Sequence, residues 1–299
     1  MTDQAANLRW RVGHAATAVG SSAAAGSTTS QVSHSCHSIA VTSGKGGVGK
    51  SNISLLLAQA LSRLRKRVLL FDADLGLANI HILLGLNPRY NLAHVFKGEC
   101  ELEQILCAGP EGVTVVPGAS GVEAMANLDA LSVERLVRKL AELEARHDFI
   151  LVDIGAGIGP VPMRLSCAAE SALLVMTPEP TSLADAYATA KLMFARGMER
   201  IAVMVNMAVS EQDGAEVFEK LQALVKNFLG RNVSLAGIIP FDKDVPRFVR
   251  AQRNILLAKP SSPLSTRIGS YARVLCGMQT ARKGGFFARL FQQKPASPA

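Results

Sequence analysis

Nine consecutive residues, Ser43-Gly44-Lys45-Gly46-Gly47-Val48-Gly49-Lys50-Ser51, have the types and order that phosphate chemistry needs. Glycines let backbone N–H groups point at a polyphosphate with no Cβ in the way. The Lys50 ammonium can reach β- and γ-phosphates, and the Ser51 hydroxyl can ligate Mg²⁺. An apolar, strand-like run, Ile39-Ala40-Val41, precedes the loop, and a helix-like run from Asn52 to Leu64 follows it. Strand, glycine loop, helix is the context such a loop requires, and the helix N-terminus adds a field that favours anions. Lys45, near the start of the loop, is not needed to cradle phosphates within its own chain.

Three carboxylates fall where they would serve the same chemistry. Asp72 and Asp74 follow a second apolar run, and Asp153 ends a third, Phe149-Ile150-Leu151-Val152-Asp153. In an open α/β sheet, ligands sit beyond the carboxyl ends of the strands. A carboxylate there can support a Mg²⁺ shell or orient an attacking water. Phosphoryl transfer asks the protein mainly for positioning and positive charge. Lys50, Mg²⁺ and a second cation would supply that charge. Lys45 from a partner chain would be that cation, so hydrolysis is expected to need a dimer.

The elements that must position these residues are legible as patterns. Short apolar runs at Ser38–Thr42, Arg67–Phe71, Val113–Val116, Phe149–Asp153, Ala172–Met176, Ile201–Val205 and Leu235–Ile239 alternate with longer runs of helical period. The apolar runs are mostly continuous, which suits strands buried on both faces. Ser132 is placed to cap a helix with a stripe of Val133, Leu136, Val137, Leu140 and Leu143. Val217, Phe218, Leu221, Leu224, Val225 and Phe228 make a second stripe, also expected to face the core. The alternation predicts an α/β fold: a doubly wound, mostly parallel sheet with helices on both faces.

The 299-residue chain allows one such domain with tails to spare. We divide it into a short N-terminal helix over 1–12, a Ser/Ala/Thr/Gly-rich linker over 13–37, an α/β body carrying the phosphate loop over 38–278 and a basic, aromatic tail over 279–299. The linker lacks the apolar surface needed to order itself. Thirty-two Lys and Arg against 24 Asp and Glu give a net charge of +8, which favours polyanionic partners without choosing among them. Five scattered cysteines, with no C-x-x-C pair, speak against an intrachain zinc or iron–sulfur site and read as reduced cytoplasmic thiols. No basic n-region opens the chain, and no apolar run reaches the roughly 18 residues a membrane span needs.

Lys45 to Ser51, the stretch Asp72-Ala-Asp74-Leu-Gly76-Leu-Ala-Asn79, Asp153 and Asn206 together resemble the MinD/ParA-type ATPases, the deviant Walker A branch of the P-loop proteins. Within that class the chain resembles the FlhG/FleN family of flagellar number regulators, over about residues 38 to 280. Further matching stretches are Leu83-Leu84-Gly85-Leu86, Asn91-Leu92-Ala93, Val116 to Gly121, Glu179-Pro-Thr-Ser182, Asp185-Ala-Tyr187 and Pro240-Phe-Asp242. The resemblance implies ATP/ADP and Mg²⁺ as cofactors, bound by residues 44–52. It implies that Asp74 positions the attacking water while Ser51, Asp72 and Asp153 serve the Mg²⁺. Asn206 would hydrogen-bond the adenine, and Pro240 and Asp242 would line the base pocket. Asn79 would lie in the loop that senses the γ-phosphate. Two positions depart from the family pattern. Ser51 replaces the commoner threonine but keeps the hydroxyl. The segment after Asp153 reads Ile-Gly-Ala-Gly, whose added glycine is expected to loosen the switch and alter the hydrolysis rate.

The two ends carry the finer resemblance. Asp3, Gln4, Ala5, Leu8 and Arg9 match the element with which that family docks on, and stimulates, an FlhF-type GTPase. Asp3 can cap, Ala5 and Leu8 share a face, and Gln4 could orient a water in the partner's site. At the other end, Phe286 pairs with Leu290 and Phe287 with Phe291 at i,i+4, beside Arg282, Lys283, Arg289 and Lys294. That is the pattern of an in-plane membrane helix, and it resembles the MinD-type targeting helix. The resemblance implies an ATP-bound homodimer that reversibly visits the anionic inner face of the cell membrane. Its partners would be the FlhF-type GTPase and either a flagellar transcription activator or flagellar switch-ring proteins. Nothing resembles a base-reading element, which argues against DNA. The alternatives are a MinD-like division or ParA-like partition ATPase, and a nucleotide-loaded scaffold with little turnover.

Overall fold

In the computed structural model, which describes residues 36–74, 80–118, 130–278 and 284–292, the continuous apolar runs become strands covered on both sides. They are β1 (His37–Thr42), β2 (Val68–Ala73), β3 (Cys107–Ala108), β4 (Thr114–Val116), β5 (Phe149–Ile154), β6 (Ser171–Met176), β7 (Ile201–Ala208) and β8 (Ser234–Pro240). Every residue of β1, β2, β5 and β6 is buried. The sheet order is β3-β4-β2-β5-β1-β6-β7-β8, parallel except for the antiparallel edge pair β3–β4. The two-residue β3 was not anticipated, because a strand so short has no period to read.

Helices complete the two outer layers. On one face lie α1 (Lys50–Arg63), α9 (Ile255–Ala258) and α10 (Pro263–Cys276), whose buried side chains include Leu57, Leu61, Ile255, Ile268 and Leu275. On the other lie α4 (Ala130–Ala145), α5 (Pro160–Ala168), α6 (Pro180–Ala195), α7 (Glu211–Leu229) and α11 (Phe286–Gln292). Three short helices, α2 (Ile80–Leu83), α3 (Leu92–Phe96) and α8 (Val245–Arg250), connect them. β1 sits centrally, with β5 on one side and β6 on the other. The chain therefore changes its direction of winding next to β1, where ligands bind in such sheets.

The two helical stripes need correction in detail. Ser132 lies inside α4, which starts at Ala130, so it is not the cap. In α7, Val217, Leu221 and Val225 are buried, but Phe228 is 71% exposed and meets Tyr187 edge-on.

The larger correction concerns the C-terminal aromatic helix. Phe286, Phe287 and Leu290 are at most 4% exposed and belong to the main core. Phe287 packs edge-on against Phe71 of β2, with ring centroids 5.9 Å apart. Phe291 packs against the same core, partly buried. The stripe read as a membrane anchor is, in this conformation, a core-facing stripe closing the gap between α4 and α5.

Candidate nucleotide site

The loop between β1 and α1 owes its shape to glycine. Gly49 has φ 87°, and a Cβ there would come within 2.5 Å of Asn206 Nδ2. The left-handed backbone and the close approach both exclude a side chain. Gly49 also starts α1 with no side-chain cap, and the first turn carries no acid. The N–H groups of that turn are thus left for an anion. Before them is a cavity of about 720 Å³ lined by the loop, Asp74, Ile82, Gly155 and Met207. That is within the size range of small-molecule sites.

Lys50 is buried and donates to Asp153 Oδ1 at 2.8 Å and to Ser51 Oγ at 3.2 Å. Ser54, one turn along α1, donates to the same Asp153 oxygen at 2.7 Å. Asp153 Oδ2 is buried and has no partner among the described residues. Asp72 is used differently. Its two oxygens accept from the backbone N–H groups of Asp74 (3.2 Å) and Ile80 (3.1 Å). Burial pushes its pKa up to about 7, with the neighbouring Asp153 charge adding and the two backbone donors opposing. The structure therefore brings Asp153 and Ser51 to Lys50, while Asp72 binds the backbone of Asp74 and Ile80.

Asp74 and Gly155 meet closely. A Cβ on Gly155 would stand 3.1 Å from Asp74 Oδ1. A side chain at position 155 would therefore crowd the Asp74 carboxylate.

Lys45 faces the open side. It pairs with Glu179 Oε2 at 2.5 Å and donates to Thr181 Oγ1 at 3.3 Å, both at the start of α6. Neither partner had been assigned a role from sequence. The Ser43 hydroxyl donates to Lys45 O at 2.9 Å and so steadies the turn.

The base-side residues also assemble. Asn206, Pro240 and Asp242 line a smaller cavity of about 70 Å³ with Asn52, Leu56 and Phe241. Asn206 donates its Nδ2 hydrogen to Val48 O at 2.8 Å, tying β7 to the loop. Phe241, 62% exposed, and Met207 were missed, although their position beside Asn206 and Pro240 was the available signal.

The donor set fits a Mg-nucleotide. The unpartnered Asp153 oxygen and the Ser51 hydroxyl are hard oxygen ligands, and the glycine cradle fits phosphate. Among the described residues no group of three or more His, Cys, Asp or Glu stands together. A divalent ion here would draw the rest of its ligands from phosphate and water. Asp3, Gln4, Ala5, Leu8, Arg9 and Asn79 lie outside the described residues.

Comparison with known proteins supports the same reading. A family model described as "ParA: NUBPL iron-transfer P-loop NTPase" matches residues 34–276. The antiactivator FleN of Pseudomonas aeruginosa is 44% identical over 241 residues, covering 80% of this chain and 86% of that one. The flagellum site-determining protein YlxH of Helicobacter pylori is 33% identical over 264 residues, covering 85% and 89%. The structure of the septum site-determining protein MinD of Pyrococcus horikoshii, complexed with Mg-ADP, superposes with a TM-score of 0.65 at 25% identity, covering 81% of this chain and 97% of that one.

Proposed function

The chain belongs to the ParA family of P-loop NTPases, and on that premise we propose that it is an ATP-driven dimerising switch that sets flagellar number or placement. ATP binding would favour the homodimer, and hydrolysis to ADP and phosphate would release it. The observation that carries this reading is the division of labour between two lysines. Lys50 is buried and held by Asp153, inside the site it serves. Lys45 is tethered at the rim by an exposed ion pair with Glu179. Exposed pairs are worth roughly 0–1 kcal/mol. Such a tether is easily exchanged for the phosphates of a facing subunit.

Bound Mg²⁺ would neutralise phosphate charge. Lys50 would turn from Asp153 to the phosphates, leaving Asp153 and Ser51 for the metal. Asp74, with space provided by Gly155, would orient the attacking water. Asn52, Pro240, Phe241 and Asp242 would enclose the base.

The names of the two flagellar relatives support the output. The 3–9 segment supports an FlhF-type GTPase as one partner, with a flagellar transcription activator or switch-ring protein as another. Membrane association would require α11 to leave the core. The decisive experiment adds the full chain to a purified FlhF-type GTPase and follows GTP hydrolysis, with Gln4→Ala alongside. Stimulation lost in the variant supports the flagellar reading. No stimulation by either would favour a MinD-like membrane-cycling ATPase.

A further inference from the structure

A second cavity lies behind the base cavity and shares Asn52, Leu56 and Val245 with it. Its volume is about 120 Å³, several times the ~15 Å³ that one water needs. The walls are mainly apolar, with Leu55, Leu84, Phe248 and Ile255 prominent. Five polar residues interrupt them: Asn52, Gln252 and Arg253, none of them buried, and the amides of Gln59 and Asn254. Gln59 of α1 is 2% exposed, and its Oε1 has no hydrogen-bond partner among the described residues. Asn254 caps α9 by accepting from Leu256 N at 2.9 Å, which fixes the orientation of its amide. The Asn254 Nδ2 is then a buried donor with no acceptor among the described residues.

Buried polar groups are nearly always hydrogen-bonded, because a bare one forfeits its full solvation. An orphan acceptor and an orphan donor in one apolar cavity call for a complementary pair. A flat group with a donor and an acceptor on adjacent atoms can serve both. A lactam edge, N–H beside C=O, has that form. A purine oxidised at C6 carries the edge on a ring whose faces suit the leucines and Ile255. An aliphatic guest would leave both amides bare.

We propose that this cavity is a second ligand site, which takes a purine base of the hypoxanthine or guanine type. Its N–H would donate to Gln59 Oε1, and its C=O would accept from Asn254 Nδ2. The site is separate from the phosphate loop and does not depend on the flagellar reading.

The test uses the full chain with Mg·ADP in large excess, so that the base cavity at the loop is filled. Hypoxanthine binding is followed by saturation-transfer NMR, with 1-methylhypoxanthine as the probe that keeps the rings and loses the donor. Gln59→Met removes the acceptor. Asn254→Asp keeps the helix cap and removes the donor. Hypoxanthine should bind, and should weaken at least about tenfold on methylation and in each variant, because a polar site rejects an analogue that cannot complete its bonds. Mg·ADP affinity should stay within about twofold in both variants, reporting an intact fold. No transfer from hypoxanthine at millimolar concentration would overturn the proposal, leaving water as the occupant. Equal transfer from the methylated probe, or a signal removed by raising Mg·ADP, would overturn it equally.

Discussion

Asp72 is held where water does not reach it, at the carboxyl end of β2. Two backbone donors favour its charged form, but burial and the adjacent Asp153 prevail, and its pKa rises from 3.8 to about 7. The folded state therefore holds this proton more tightly than the unfolded chain does. The stabilising contribution is complete below about pH 4 and is lost as pH rises through about 7. The urea midpoint of the wild type should fall between about pH 5 and pH 8, and Asp72→Asn should flatten that fall. An unchanged slope in the variant would clear Asp72 as its source. Asp72, Asp74, Asp153 and the loop were legible from sequence because each lies at a strand end or helix start, where local pattern fixes the place. The Lys45–Glu179 pair was not, because its members stand 134 residues apart and only the fold brings β1 beside α6. The Ser54 bond to Asp153 left a fainter trace, a hydroxyl four residues after Lys50 in a run of buried apolar positions.

The seven-residue α11 is too short to persist on its own, and the body holds it at both ends. Glu144 accepts from Phe286 N at 2.7 Å and Phe287 N at 3.4 Å, an anion at the positive end of the helix. Arg164 donates to Leu290 O at 3.1 Å through Nη2, a cation at the negative end. Arg289 reaches Ala168 O at 2.7 Å and Ser38 Oγ at 2.9 Å. Burial of each large apolar side chain contributes roughly 1.5–3 kcal/mol, whether the apolar environment is protein or lipid. The apolar stripe therefore does not decide between core and membrane, and the polar ties at its ends do. Removing one tie, with Arg164→Ala, should cost the docked state on the order of 1 kcal/mol and raise binding to anionic vesicles about fivefold in Mg·ADP. Unchanged sedimentation would show that α11 does not govern membrane contact. Phe287→Glu is a poorer probe, since it would also place a charge against Phe71. The 3.6-residue period gave the helix and its apolar face correctly. It carries no information about what that face meets, so the sequence pattern favoured lipid where the fold supplies α4 and α5.

At the scale of the whole molecule, the phosphate cavity opens beside Lys45, and apolar side chains project around it. Ile82, Ile158 and Met207 are all more than 40% exposed, and Phe241 stands at the base side. A two-fold assembly that joined these faces would bury those side chains and bring each Lys45 toward the other subunit's phosphates, at the expense of its exposed pair with Glu179. This arrangement makes a prediction that no monomer mechanism shares. Lys45→Ala leaves its own subunit with an intact Asp74, Lys50 and base cavity, but deprives the partner's site of its second cation. Asp74→Ala disables its own site and still offers Lys45 across the interface. Each variant alone should be nearly inactive as an ATPase. In an equimolar mixture, random pairing makes half the dimers mixed, and each mixed dimer has one complete site. Turnover should therefore recover to about a quarter of the wild-type rate per subunit. If Lys45 acted on the nucleotide of its own chain, neither variant would contain a complete site, and mixing would restore nothing. Recovery that rises with total protein concentration, measured at saturating Mg·ATP, would place the lysine in the facing site and make dimerisation the step that commits the enzyme to hydrolysis.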